Sequence, residues 1–242
     1  IYGRLSRRLR ALELNSIGDY CRMIENGHTD ELEQFTNALT TNLTAFFREP
    51  HHFDYLKESV LPEIMQRNAR TRRLRIWSAG CSTGEEPFSI AMTLLETIPN
   101  IDNWDVRVLA TDLDTSVIDV ALSGTYRQDK ISELPGQYLK TWFHKGRGSQ
   151  QGMVRVASAA RNLVCFNRLN LMHEWPMKGP FDIIFCRNVV IYFDKQIQQR
   201  LFDRYADIMT PDGYLFIGHS ESLYNVSDRF KLIGRTIYRR TR

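Results

Sequence analysis

The chain has 242 residues, 43% of them apolar and 25% charged, an ordinary balance for a soluble globular protein of one large or two small domains. No apolar run approaches the roughly 18 residues of a membrane span. No signal peptide is read at the start, where the chain opens on Ile1. The four cysteines, Cys21, Cys81, Cys165 and Cys186, have neither paired nor metal-ligand spacing, which points to reduced thiols in a cytoplasmic protein without a metal centre.

From Tyr2 to Leu12, Leu5, Leu9 and Leu12 recur at helical spacing while Arg4, Arg7, Arg8 and Arg10 take the other faces. This is an amphipathic helix whose cationic surface is either solvated or a dock for an acidic partner. A second helix spans Ser16 to Ile24 and breaks at Gly27 and His28. Asp30 is expected to cap a third, with Glu33 closing a capping box and Leu32, Phe35, Leu39, Leu43 and Phe46 forming a core stripe. The segment TTNLTAFFRE, residues 40 to 49, sets Thr40, Thr41, Asn42 and Thr44 beside an aromatic pair. These side chains compete for backbone hydrogen bonds, so the helix ends or loosens there. Pro50 starts a further helix through Phe53, Leu56, Val60 and Ile64, kinked at Pro62. The expected division is an α-helical domain at 1–66, a basic linker at 67–75 and an α/β domain at 76–242.

The α/β domain opens on LRIWSAGCSTGEEPF, residues 74 to 88. An apolar β-favouring run leads into a turn at Gly80 and Gly84, and Glu85, Glu86 and Pro87 then start a helix. The G-x-G-x-x-G spacing of dinucleotide sites is absent. A turn with carboxylates where a pyrophosphate would sit suits a cationic or neutral ligand, and S-adenosylmethionine fits that better than a nicotinamide dinucleotide. The next strand, Val106 to Thr111, delivers Asp112 to its carboxyl end, where Rossmann-type folds bind ribose hydroxyls. The alternative is a turn or cap residue, although Asp114 is the better cap.

Residues 125 to 168 interrupt the βα alternation with short strands expected at Tyr138–Phe143, Met153–Val156 and Leu163–Phe166 and a hairpin tip at Gly146 to Ser149. The insert has eight Lys or Arg against Asp129 and Glu133. Such a basic sheet either offers an edge to an acidic peptide or uses its charges to keep that edge from aggregating. A buried strand at Phe181–Cys186 then leads into Arg187, Asn188 and Tyr192, Asp194 caps a helix to about Met209, and Tyr214–Ile217 forms another strand. Phe230–Ile233 and Thr236–Arg239 close as a hairpin. A mixed sheet ending in an antiparallel pair fits class I (Rossmann-like) methyltransferases.

Four stretches, TTNLTAFFRE at 40–49, AGCSTGEEPFS at 79–89, ATDLD at 110–114 and FCRNVVIYF at 185–193, are similar to the chemotaxis receptor glutamate methyltransferases, the CheR family, and the resemblance covers essentially the whole chain. It implies methyl transfer from S-adenosylmethionine, leaving S-adenosylhomocysteine, to glutamate side chains on the cytoplasmic helical bundle of chemoreceptors. It carries cofactor contacts onto Asn42, Thr44, Arg48, Asp112, Asn170, Leu171, Arg187 and Asn188, with Glu85, or Glu86 in its place, beside the glycine turn at Gly80. It gives Arg4, Arg7, Arg8 and Arg10 to the receptor, and in some members the β insert to a receptor's C-terminal peptide. The expected protein is a monomer that binds no nucleic acid and does not insert into a membrane.

Glutamate, whose side chain in water titrates near about 4.3, is ionised at neutral pH and needs no general base, so no catalytic triad is required. Arg48 is expected to align the carboxylate and Tyr192 to offer its hydroxyl near the methyl. A nucleic-acid methyltransferase is the enzyme rival. Amino-group methyltransferases commonly place Asn-Pro-Pro-aromatic after the fourth strand, whereas this chain has Cys186, Arg187, Asn188 and Val189. A non-catalytic S-adenosylmethionine-binding module is the other rival, opposed by the intact Arg48, Asp112 and Tyr192.

Overall fold

A computed structural model describes residues 2–27 and 29–241, so the expected break at His28 lies outside the described residues. Three helices come first: α1 (Tyr2–Ala11), α2 (Ile17–Glu25) and α3 (Thr29–Leu39). Ser16 caps α2 by accepting from the Asp19 N–H at 3.0 Å. The expected cap at Asp30 lies instead inside the first turn of α3, where its charge faces the positive dipole end. Glu33 closes no capping box either, because it accepts the Thr115 hydroxyl at 2.6 Å and pairs with Arg168 at 3.2 Å. The α3 stripe is not core. Leu32 and Leu43 are 50% and 78% exposed, and only Phe46 is buried.

α4 (His51–Tyr55) and α5 (Leu61–Arg67) are one helical run joined by a π turn at Leu56–Val60. That wider turn immediately precedes Pro62, which has no N–H for the regular ladder. Phe53, Leu56, Val60 and Ile64 share a cluster with Leu74, Ile76, Phe185 and Phe216 of the sheet, so this run packs with the sheet rather than with α1–α3. Asp182 closes the join, accepting from Arg67 at 3.0 Å, Asn68 at 3.1 Å and the Arg75 N–H at 2.9 Å. The residues expected to form a basic linker are strand from Arg73 onward.

The strand β1 (Arg73–Ala79) is followed by α6 (Glu85–Thr97), β2 (Asp105–Asp112) and α7 (Thr115–Ser123). The insert then contributes β3 (Thr125–Arg127), α8 (Gly136–Trp142), β4 (Phe143–Lys145) and β5 (Met153–Val156), with β5 central in an antiparallel sheet of three strands. The expected strand at Tyr138–Phe143 is a helix up to Trp142. One helical turn places Tyr138 and Trp142 on one face, and both donate to Glu96 of α6, at 3.0 and 2.9 Å.

After α9 (Ser158–Asn162) come β6 (Val164–Arg168), β7 (Phe181–Cys186), α10 (Lys195–Ile208), β8 (Met209–Ile217), β9 (Phe230–Gly234) and β10 (Ile237–Arg240). β6 belongs to the large sheet, parallel to β2, and not to the insert, because its register carries Val164 and Phe166 against the core beside α6. The seven strands run in the order β6-β2-β1-β7-β8-β10-β9, with β10 antiparallel to both neighbours.

Candidate functional site

The carboxyl ends of β1, β2, β6 and β7 meet the stretch after α3 around a cavity of about 540 Å³. This is the crevice at which open α/β sheets bind ligands. Asn42, Thr44 and Arg48 line it from the stretch after α3, Gly80, Glu86 and Asp112 line its floor from the ends of β1 and β2 and the start of α6, and Asn170, Leu171, Arg187, Asn188 and Tyr192 line it from the segments after β6 and β7. The exposed side of α3 supplies Phe35 and Leu39, and Leu43 follows, which explains why that stripe is left out of the core.

The floor depends on a close approach. Gly80 has φ +99°, and a Cβ there would lie 2.3 Å from Val189 Cγ2. Only glycine meets both constraints. Asp112 accepts the Ser82 N–H at 2.8 Å and the Asp114 N–H at 3.1 Å. Burial nonetheless pushes its carboxyl up. Asp114 caps α7 through Ser116, so Asp112 has no capping duty. Asp114 also accepts Asn42 at 2.7 Å and Thr40 at 2.6 Å, and the Asn42 carbonyl accepts the Ser82 hydroxyl at 2.9 Å. Asn42 thereby holds the wall to the floor.

Glu86 and not Glu85 faces the cavity. Glu86 accepts Ser78 at 2.7 Å and Arg187 at 3.0 Å, while the Glu85 carboxylate turns to the Thr83 hydroxyl at 2.6 Å, outside the lining. Burial pushes both carboxyls up, with Arg187 opposing it at Glu86. The Arg187 guanidinium is 3.2 Å from Glu49, donates to the Arg48 carbonyl and lies 5.7 Å from the Phe53 ring centroid. Its charge is therefore spent inside the protein. Arg48 differs: its Nη1 donates to the Leu43 carbonyl at 2.8 Å, and among the described residues no carboxylate pairs with it. Tyr192, 60% exposed, lines the open mouth of the same cavity.

Two carboxylates were not singled out by the sequence. Glu49 also accepts the His219 backbone N–H and ring Nδ1, at 3.2 and 2.8 Å. Burial would raise its pKa, but His219 and Arg187 hold it down to about 2. Its position at the end of TTNLTAFFRE was the available signal. Glu221 accepts three backbone N–H groups at the ends of β7 and β8, and nothing in a single sequence marks it. Glu49, His51 and His52 bring ligand-type atoms within 4.8 Å of one another. The arrangement does not suit a cation, since the Arg187 guanidinium already faces Glu49 at 3.2 Å; burial together with Arg187 holds the His52 imidazole down to about 3.

The basic helix divides into two sets. Arg4 donates to the Leu39 and Thr40 carbonyls at 3.0 and 2.5 Å and to the Thr41 hydroxyl at 3.0 Å, and Arg8 makes a two-point contact with Glu31. Both are internal ties. Arg7 is exposed, and Arg10, also exposed, donates to the Ser6 carbonyl of its own helix.

The fold and cavity define a class I methyltransferase with S-adenosylmethionine as its cofactor. The volume suits a small-molecule site, and the floor carboxylates Glu86 and Asp112 suit an ammonium and hydroxyl groups. Residues 42–239 match the S-adenosylmethionine-binding domain of the CheR methyltransferases, and residues 1–40 match their all-alpha domain. The chain belongs to the CheR methyltransferase family. It is similar to the chemotaxis protein methyltransferase of Escherichia coli, 46% identical over 98% of this chain and 81% of the relative. A probable chemotaxis protein methyltransferase of Rhizobium etli is 41% identical over 100% of this chain and 91% of its own. Chemotaxis protein methyltransferase 2 of Pseudomonas aeruginosa is 44% identical over 98% and 83%. Among the described residues, no helix is long and apolar enough to cross a membrane.

Proposed function

We propose that this chain methylates glutamate side-chain carboxylates of chemoreceptors, forming methyl esters, as a monomer in the cytoplasm. The observation that carries the reading is the placement of Arg48. Arg48, with which no carboxylate pairs among the described residues, lines the same cavity as the carboxylates Glu86 and Asp112 and the exposed Tyr192. A carboxylate is drawn to Arg48 and a cationic cofactor to the floor carboxylates, so the two reactants are sorted by charge.

S-adenosylmethionine, when bound, supplies an electrophilic methyl on a sulfonium. Asp112 and Glu86 would hold its polar groups, with Asn42, Thr44, Gly80, Asn170, Leu171, Arg187 and Asn188 shaping the remainder. The protein's task is then alignment, since the attacking carboxylate is already ionised at neutral pH. Orientation alone supplies up to about 7–11 kcal/mol in favourable intramolecular reactions. Arg48 steers the carboxylate and Tyr192 presents its hydroxyl at the reacting end. Outward-facing Arg7 and Arg10 offer a dock for an acidic receptor surface, and the basic insert, with β3 and β4 as its edges, offers a second for a receptor tail.

The test is transfer from labelled S-adenosylmethionine to chemoreceptor-containing membranes, followed by mild base. Label released as methanol is expected. Base-stable label would indicate nitrogen methylation and overturn the reading.

A further inference from the structure

The segment after β7 carries Arg187, Asn188, Val189, Tyr192 and Phe193 along one side of the cavity. It has no regular structure beyond a single 3₁₀ turn at Val190–Tyr192, and Asn188 sits at φ +59°, a left-handed conformation that asparagine tolerates better than most residues other than glycine. Such a segment keeps one shape only when its surroundings impose it. The imposing group is Glu221, 6% exposed, on the loop after β8. One carboxylate oxygen accepts the Asn188 N–H at 3.0 Å and the Gly218 N–H at 2.5 Å, and the other accepts the Val190 N–H at 2.9 Å. The two loops also touch directly, for a Cβ on Gly218 would lie 2.5 Å from Asn188 Nδ2.

We propose that Glu221 is a positioning residue for methyl transfer, holding the β7 loop so that Tyr192 stands over the reacting end of the cavity. Among the described residues its oxygens accept only backbone N–H groups, and it is absent from the cavity lining, so it acts through the loop and touches neither reactant. The carboxylate suits the task because two oxygens accept from three N–H groups that converge on one point, as backbone nests do for anions. An amide of the same size has only one accepting oxygen and turns an N–H₂ toward backbone donors. The floor carboxylates Glu86 and Asp112 are themselves carried by α6 and β2, outside the loop that Glu221 holds.

The proposal rests on the reading that this cavity performs methyl transfer. The experiment compares full-length wild type, Glu221→Gln and Gly218→Ala for receptor methylation, for S-adenosylhomocysteine affinity and for thermal stability. Losing a hydrogen bond to a charged group corresponds to roughly a 10- to 100-fold effect. That loss is expected in kcat for Glu221→Gln, and it should exceed the accompanying loss of cofactor affinity, a smaller loss expected because Asn188, held by the same lock, also lines the cofactor cavity. Gly218→Ala, which pushes the same loop from the other side and leaves the carboxylate in place, is expected to lower kcat in the same way. If Glu221→Gln does not fold, Gly218→Ala alone decides. An unchanged kcat, or a kcat that falls only in proportion to cofactor affinity, would overturn the proposal. Wild type that transfers no methyl would instead overturn the functional reading beneath it.

Discussion

Glu86→Gln and Glu85→Gln separate two adjacent carboxylates that differ only in where α6 points them. Glu86 has four acceptor positions on its two oxygens, and Ser78 and Arg187 take two of them, leaving capacity for a bound cation or hydroxyl. Replacing it by Gln removes one of two carboxylates around the buried Arg187. Since Glu49 remains 3.2 Å away, the stability cost should fall below that of an orphaned charge, at about 2–4 kcal/mol. For the cofactor, losing one charge-assisted hydrogen bond of about 1.5–3 kcal/mol weakens binding roughly 10- to 150-fold. Glu85→Gln weakens a contact with Thr83 only, at about 1 kcal/mol of stability, and should leave affinity essentially unchanged. Isothermal titration with S-adenosylhomocysteine, beside thermal denaturation of both variants, measures the two effects separately. Equal losses of affinity, or a larger one in Glu85→Gln, would refute the assignment of Glu86 to the cavity floor.

Arg48→Ala should lower receptor methylation by at least about tenfold while cofactor affinity falls much less; proportionate losses would reduce Arg48 to a cofactor contact. Arg7→Ala with Arg10→Ala should slow receptor methylation at low salt and flatten its salt dependence without moving the melting temperature. Arg8→Ala should instead cost about 1–3 kcal/mol of stability, because the buried Glu31 loses its two-point partner. His52, held down to about 3, stays neutral in the folded protein while the unfolded chain takes up a proton below its ordinary value near 6.5. Stability from this group is present above that value and is lost as pH falls, by up to about 1.4 kcal/mol per unit. Below about 4.5 the lowered Glu49 adds a loss of the same sign, whereas the raised carboxyls of Glu86, Asp112 and Glu221 act in the opposite sense. Urea titrations at pH 7, 6 and 5 should show the decline in wild type and a flatter profile in His52→Gln.

The sheet was legible because its strands are written in residue type. Phe181–Cys186 is buried throughout, and Asp194 and Asp114 cap the helices they were expected to cap. Most of the cavity was legible too, since Gly80, Asp112 and Arg187 stand at strand ends, where the fold places ligand chemistry. The misreadings arise where one pattern serves two structures. Tyr138 and Trp142 are compatible with a strand or with one helical turn, and only Glu96, distant in sequence, selects the turn. Glu85 and Glu86 are both buried at the same helix start, so periodicity alone does not tell which one lines the cavity. Arg4 and Arg8 give no sign in sequence of the contacts they make with the end of α3 and with Glu31. Leu39 and Leu43 look like core because a cavity wall and a core are equally apolar.

The pairing of charges around the cavity bears directly on how the carboxylate substrate is recognised. Two guanidinium groups are within reach of it, but Arg187 lies between Glu49 and Glu86 and offers no uncompensated charge. Its hydrogen bond to the Arg48 carbonyl fixes the backbone of Arg48 and leaves that side chain as the cation that the mouth presents. Arg48 is half-buried, so solvent screens part of its attraction. That moderation is useful. A fully desolvated two-point clamp would stabilise the ground-state carboxylate, whose charge the reaction consumes, and would raise the barrier it is meant to lower. The inner arginine thus provides rigidity and the outer one provides recognition, a division set by where the neighbouring carboxylates lie.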